Sequence, residues 1–203
     1  FIESIAYILA FLIPTLLLLL LKRVPMSSVF PSERVSFPVA AATVAIGFGI
    51  CILANFPAAW ITAIFQRFGL SQEMPGYEVN QDILAQVLFF IGVAVIPPLV
   101  EEFLFRGAVL HLLRRGGDGF AIVLSAALFA LLHGNFIQAV FAFICGLVLA
   151  YTVVRTGNIW LAIIIHFLNN SWSVVNQILY SSGLETAADL VYSVCLFVIP
   201  VLG

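Results

Sequence analysis

Charge is what this sequence has least of. Aspartate, glutamate, lysine and arginine make up 9% of its 203 residues, hydrophobic residues make up 63%, and the mean hydropathy is +1.17. A soluble domain carries about a quarter of its residues as charges, so this chain has no means of solvating an ordinary globular surface. The formal net charge of −2 offers no basic face, which excludes nucleic acid as a partner. Cysteine is equally sparse. Cys51, Cys145 and Cys195 stand in apolar runs without metal-type spacing and read as small hydrophobes. Several catalytic signatures are missing too. There is no H-E-x-x-H, which excludes a zinc site built on one helix. No serine sits in a glycine-flanked nucleophile turn, and Asp118, in Arg-Arg-Gly-Gly-Asp-Gly, has no partner aspartate. Serine and aspartyl mechanisms are therefore disfavoured.

What the sequence does have is long apolar runs, at about residues 2–21, 37–56, 83–113, 119–133, 136–154, 158–179 and 186–202. Runs near 20 residues match the length of a membrane-spanning helix, and a bilayer leaves no alternative to helices for a chain without barrel-type alternation. The expected fold is all-α, a polytopic transmembrane bundle of about seven to eight helices with an intramembrane polar cavity, in one domain over residues 1–203. Residues 57–68 either extend the second span or lie along the interface, and 70–82 form a polar, mildly acidic loop. The chain begins at Phe1 and ends at Gly203 straight after an apolar run, so a segment of a longer protein is expected. If the spans alternate, Lys22, Arg23, Arg34, Arg114, Arg115 and Arg155 fall on one side. Arg67, Glu73, Glu78, Asp82, Glu185 and Asp189 fall on the other. The positive-inside rule places the arginine side in the cytoplasm of a cell membrane.

The run 83–115 would span about 50 Å as one helix, longer than a bilayer core. Pro97 and Pro98 interrupt it, so a bent helix is expected, with its deeper part carrying Glu101 to Arg115.

Ionisable groups at mid-membrane cost at least ~2.5 kcal/mol each, which makes each one a functional candidate. Counting at helical rise from the interfacial Arg114, Gly119 and Arg155 puts Glu101, His133, and His166 with Asn170 at one level, about 16–22 Å deep. Glu102 and Arg106 are spaced i,i+4 and pair on one face. Glu101 is turned about 100° away and is left to act as a base. His166 and Asn170 share a face of their own helix. His133 precedes Gly134 and Asn135, a turn tolerated at this depth only beside protein or a wet cavity. Phe129, one turn earlier, reads as packing that orients the ring. His111 reads as interfacial, and Asn169, Ser171, Ser173 and Asn176 as helix-packing polar residues. The chemistry that remains is a water activated by Glu101 with His133 assisting, attacking a carbonyl whose oxyanion is held by His166 and Asn170. A metal variant uses His133, His166 and Glu101 as a His₂Glu set for Zn²⁺, with water in the fourth position. The metal-free version is slightly preferred.

These residues carry a resemblance. Glu101-Glu102-Phe103-Leu104-Phe105-Arg106, Phe129-Ala130-Leu131-Leu132-His133 and His166-Phe167-Leu168-Asn169-Asn170 resemble the motifs E-E-x-x-x-R, F-x-x-x-H and H-x-x-x-N of the CPBP family (CAAX protease and bacteriocin-processing, or Abi). The likeness covers about residues 97–172, including Gly146 and the Thr156-Gly157 turn. It implies an all-helical intramembrane endopeptidase acting on membrane-associated peptides or proteins, with Glu101, His133, His166 and Asn170 as catalytic positions. The family is described both as metalloprotease and as glutamate-dependent without metal, so the resemblance leaves the cofactor at none or Zn²⁺. Two other functions compete. A non-catalytic bacteriocin-immunity or binding protein on the same scaffold is disfavoured by the intact motifs. A transporter is disfavoured by the lack of a repeated half and by the expected continuity of the helices at the site.

Overall fold

A computed structural model of the chain describes residues 2–70, 79–80 and 82–195. The apolar runs fold as helices, and among the described residues the only β pairing is an isolated bridge between Ser32 and Asn158. Helix α1 spans Ile2–Lys22, the short α2 Met26–Val29, α3 Phe37–Leu53 and α4 Asn55–Arg67. A long composite helix follows: α5 Ile83–Phe90, a π-helical segment π1 Ile91–Val95, α6 Ile96–Glu102, a second segment π2 Phe103–Val109, and α7 Leu110–Leu113. The remaining helices are α8 Asp118–Leu132, α9 Phe136–Thr156, α10 Ile159–Ser181 and α11 Glu185–Ser193. Among the described residues, four stretches are long and apolar enough to cross a membrane: Ser4–Lys22, Phe37–Arg67, Ile83–Gly116 and Phe136–Thr156. Leucines and phenylalanines on their outer faces are bare, as lipid-facing side chains are; Leu21 is 81% exposed and Phe37 84%. The molecule is a helical membrane bundle.

Most of the 70–82 loop and the end of the last apolar run, from 196 onward, lie outside the described residues. Residues 57–68 form most of α4, directly after α3. The expectation of unbroken helices at the site needs correction, because π-helical turns flank α6 on both sides. The prolines explain the first of them. The carbonyl of Val93 would receive a hydrogen bond from residue 97 in an α-helix and from residue 98 in a π-helix, and both are proline without an N–H. The ladder cannot close there, and the carbonyl must find another donor.

Small residues let the helices approach closely. A Cβ on Gly146 of α9 would lie 3.0 Å from the Ala126 backbone of α8, and one on Gly107 would meet the Val29 carbonyl at 2.7 Å. Around these contacts a buried core collects Leu110, Ala121, Leu149, Val153, Ile159 and Ala162. The loop before α3 is tied to the loop after α9 by Glu33 N–H to Gly157 O (3.0 Å) and Ile159 N–H to Pro31 O (2.8 Å). That tie puts the Arg34 and Arg155 ends of the bundle together. Asp118, read as an isolated loop acid, begins α8 and pairs with Arg114 at 2.8 Å on an exposed surface.

Candidate active site

Glu101 and Glu102 are both buried at the end of α6, and the 100° step between them sends them to different partners. Glu102, fully buried, accepts from Arg106 Nη1 at 2.8 Å, one helical turn on. Arg106 is 1% exposed. Its Nη2 donates to the Gly146 carbonyl at 3.1 Å, and its guanidinium carbon stands 4.5 Å from the centre of the Phe129 ring. Desolvation is offset by one ion pair, one charge-assisted hydrogen bond and one cation–π contact. The glycine at 146 matters twice, since its carbonyl takes the guanidinium and its missing Cβ leaves Phe129 in place, 3.3 Å from where that carbon would be.

Glu101 faces a cavity of about 870 Å³ whose wall also includes His133, His166 and Asn170. All four residues singled out by depth counting therefore meet in one space, which Glu102 and Arg106 do not line. Within it, Glu101 Oε1 accepts a hydrogen bond from the Tyr7 hydroxyl, while Glu101 Oε2 has no hydrogen-bond partner among the described residues. That second oxygen lies 3.8 Å from His166 Nε2.

The histidines are held by their other nitrogens. His166 Nδ1 is 2.9 Å from Glu102 Oε1, and His133 Nδ1 is 3.0 Å from the Phe129 carbonyl. Both partners only accept, so both Nδ1 atoms carry hydrogen and each neutral ring keeps its lone pair on Nε2. Phe129 is 2% exposed and packs edge-on against both imidazoles, with ring centres 5.0 Å from His133 and 5.7 Å from His166. It does more than orient one ring, since Arg106 and both histidines rest on it. The turn after α8 forms as its sequence demands. His133 caps the helix, Gly134 takes φ +64°, and Asn135 caps α9 by accepting from Ile137 and Gln138 N–H.

Asn170 donates Nδ2 to the Val93 carbonyl at 3.0 Å, the group that Pro97 and Pro98 leave without a helical partner. One amide hydrogen of Asn170 is thus structural, and its carbonyl oxygen accepts from Asn169 Nδ2 at 3.3 Å. Asn169 and Ser173, read as packing residues, both line the cavity. Asn176 fits that reading, bonding back to the Trp172 carbonyl at 2.8 Å.

Sequence reasoning missed Tyr7. A signal for it existed, because Tyr7 lies 15 residues before the interfacial Lys22, at about 22 Å of depth, level with the other groups. The Glu102–His166 bond was missed as well, and it changes what His166 can do, since only Nε2 remains for chemistry.

A zinc ion would need His133, His166 and Glu101 to converge. Their chemistry is suitable, as each Nδ1 is occupied and each Nε2 is presented, the usual outer-shell arrangement for metal-bound histidine. Their geometry is not, because no three His, Cys, Asp or Glu side chains come together in a metal-holding group among the described residues. The His₂Glu set does not fit a metal as it stands.

Comparison with known proteins bears on the same segment. Residues 83–172 match the model of a family described as type II CAAX prenyl endopeptidase Rce1-like. Over 163 residues the chain is 24% identical to YdiL of Bacillus subtilis (strain 168), which carries the provisional name of a membrane peptidase; the match covers 79% of this chain and 66% of that one. Over 132 residues it is 30% identical to the membrane-embedded CAAX protease MroQ of Staphylococcus aureus (strain USA300), covering 61% of this chain and 53% of that one. The chain thus spans between half and two thirds of the length of these curated relatives. No solved structure matches it. The glutamate pair, both histidines and Asn170 all fall inside the matched segment, which is similar to Rce1-like CAAX endopeptidases and to relatives named as membrane peptidases.

Proposed function

We propose that this chain is an intramembrane endopeptidase that hydrolyses a peptide bond of a membrane-associated substrate with a water activated by Glu101. The observation that carries this reading is Glu101, which lines the cavity inside the bundle and whose buried Oε2 has no hydrogen-bond partner among the described residues and lies 3.8 Å from the Nε2 of His166. Two acceptors at that separation suit the two hydrogens of one water, whose oxygen then faces the open space. Tyr7 and Glu102 hold the two acceptors in position from behind.

In the reaction Glu101 takes a proton as the water oxygen bonds to the carbonyl carbon. The second amide hydrogen of Asn170, the one not given to Val93, stabilises the resulting oxyanion, and His133 assists at the water. The carbon–nitrogen bond then breaks, and the proton held by Glu101 passes to the departing nitrogen, leaving a carboxylic acid and an amine. His166 thereby moves from the oxyanion to the water, because its Nδ1 is committed to Glu102.

The test is cleavage of a membrane-associated substrate by the purified protein in liposomes, with Glu101→Gln and His133→Ala beside the unmodified chain, with and without chelator. Cleavage that both variants preserve rules the mechanism out. Loss on chelation with recovery on adding Zn²⁺ would replace it with the metal variant. Substrate binding without cleavage would favour an immunity or binding role.

A further inference from the structure

We propose that the cavity admits its substrate from the end of the bundle opposite the arginine-rich ends, the extracytoplasmic face, and receives an internal, extended peptide segment there. This rests on the peptidase reading of the site. The position of the cavity along four of the helices is the first observation. Helix α1, whose cytoplasmic end is Lys22, contributes nothing to the wall beyond Phe11, and α10, which starts at the same end with Ile159, contributes nothing before His166. On the long composite helix, the lining stops at Glu101, well short of Arg114. On α8 it begins only at Phe129. Four helices running in alternating directions thus place their parts of the wall in the same half of the bundle, while α9 carries the wall deeper, from Gln138 through Cys145 to Leu149.

The other half is packed. Leu110, Ala121, Val153, Ile159 and Ala162 form buried core there, and the loops at that end are tied by the bonds of Glu33 and Ile159. That end carries Lys22, Arg23, Arg34, Arg114, Arg115 and Arg155, against Arg67 alone at the other, a bias that fixes orientation with the packed end in the cytoplasm. A lipidated C-terminus displayed at the cytoplasmic surface would have to pass through the core to reach Glu101.

The wall gives the chemistry of the guest. His166, Asn170, Ser173 and Gln177 follow one another at i+4, i+3 and i+4 on one face of α10 and all line the cavity. They make a polar track of about 16 Å from the reacting centre to the outer end. Amide and hydroxyl groups along such a track suit the N–H and C=O groups of an extended peptide, which must be satisfied at membrane depth. No lysine or arginine lines the cavity among the described residues, so neither offers a terminal carboxylate an ion pair there, and Glu101 repels one. The segment is internal rather than a chain end.

Access is tested by labelling cells that express the full chain with a membrane-impermeant maleimide. Ser173→Cys and Ser4→Cys report the cavity wall, Arg115→Cys reports the cytoplasmic end, and only signal above the parent, which keeps its three cysteines, is counted. Both wall variants are expected to label in sealed cells with no gain on permeabilisation, and Arg115→Cys only after it. Wall labelling that requires permeabilisation, or that fails even then, overturns the proposal. A parallel arm adds an uncharged peptide, blocked at both ends, to right-side-out and to inverted vesicles. Cleavage in right-side-out vesicles, lost in Glu101→Gln, is expected. Cleavage confined to inverted vesicles overturns the direction of entry while the peptidase reading stands. Wall labelling from outside with no cleavage in either vesicle leaves the opening in place and removes the peptidase.

Discussion

His166 Nδ1 and Arg106 Nη1 meet on one oxygen, Glu102 Oε1, at 2.9 and 2.8 Å. That shared acceptor ties a ring facing the cavity to an ion pair that is sealed from it. Glu102 therefore works at one remove. It fixes the tautomer and the direction of His166, so that Nε2 points toward Glu101.

Breaking the sealed pair should cost stability. Arg106→Ala leaves the Glu102 charge buried and the Gly146 carbonyl without its donor, a loss of about 3–5 kcal/mol. Adding Glu102→Gln removes the stranded charge and should restore part of that loss. Chemical denaturation in detergent micelles measures both, and equal stabilities for Arg106→Ala and the double variant would remove the uncompensated charge as the cause.

Glu101 should respond in the opposite way. Glu101→Gln keeps the volume and an amide oxygen to accept from Tyr7, so the fold should hold while cleavage drops by about 10²–10⁴-fold, the span of general-base contributions. Turnover and melting temperature measured on one preparation separate this from Arg106→Ala, where melting falls first.

Tyr7→Phe removes only the hydroxyl that donates to Glu101 Oε1. A hydrogen bond to a charged group contributes about 1.5–3 kcal/mol, so a fall of at least about tenfold in kcat is expected, with KM nearly unchanged because no substrate contact is lost. A rise in KM with constant kcat would make Tyr7 a binding residue instead.

What was legible in the sequence followed from local geometry. The Glu102–Arg106 pair is one turn of one helix, and helical rise from the interfacial anchors Arg114, Gly119 and Arg155 brings Glu101, His133, His166 and Asn170 to one depth. The missed features are long-range. Tyr7 with Glu101, Glu102 with His166, and Asn170 with Val93 are separated by 94, 64 and 77 residues. Nothing in the period of a single helix says which face of α1 meets α6, or that Asn169 and Ser173 turn toward a cavity rather than a neighbouring helix. The π-helical segments were equally hidden, because Pro97 and Pro98 announce a disturbed ladder but not whether the chain bends or widens.

Asn170 offers the sharpest separation of structure from chemistry, because its bond to Val93 exists only where proline denies that carbonyl a helical donor. Asn170→Ala should cost about 1–3 kcal/mol, the penalty of a buried carbonyl left unpaired. Pro97→Ala supplies an N–H at the i+4 position, so in that background the stability cost of Asn170→Ala should shrink toward zero. A double-mutant cycle on unfolding free energy reads this coupling. Activity need not follow. If the second amide hydrogen of Asn170 holds the oxyanion, cleavage stays low in the double variant although its stability returns. Recovery of both together would confine Asn170 to mending the helix and take it off the oxyanion.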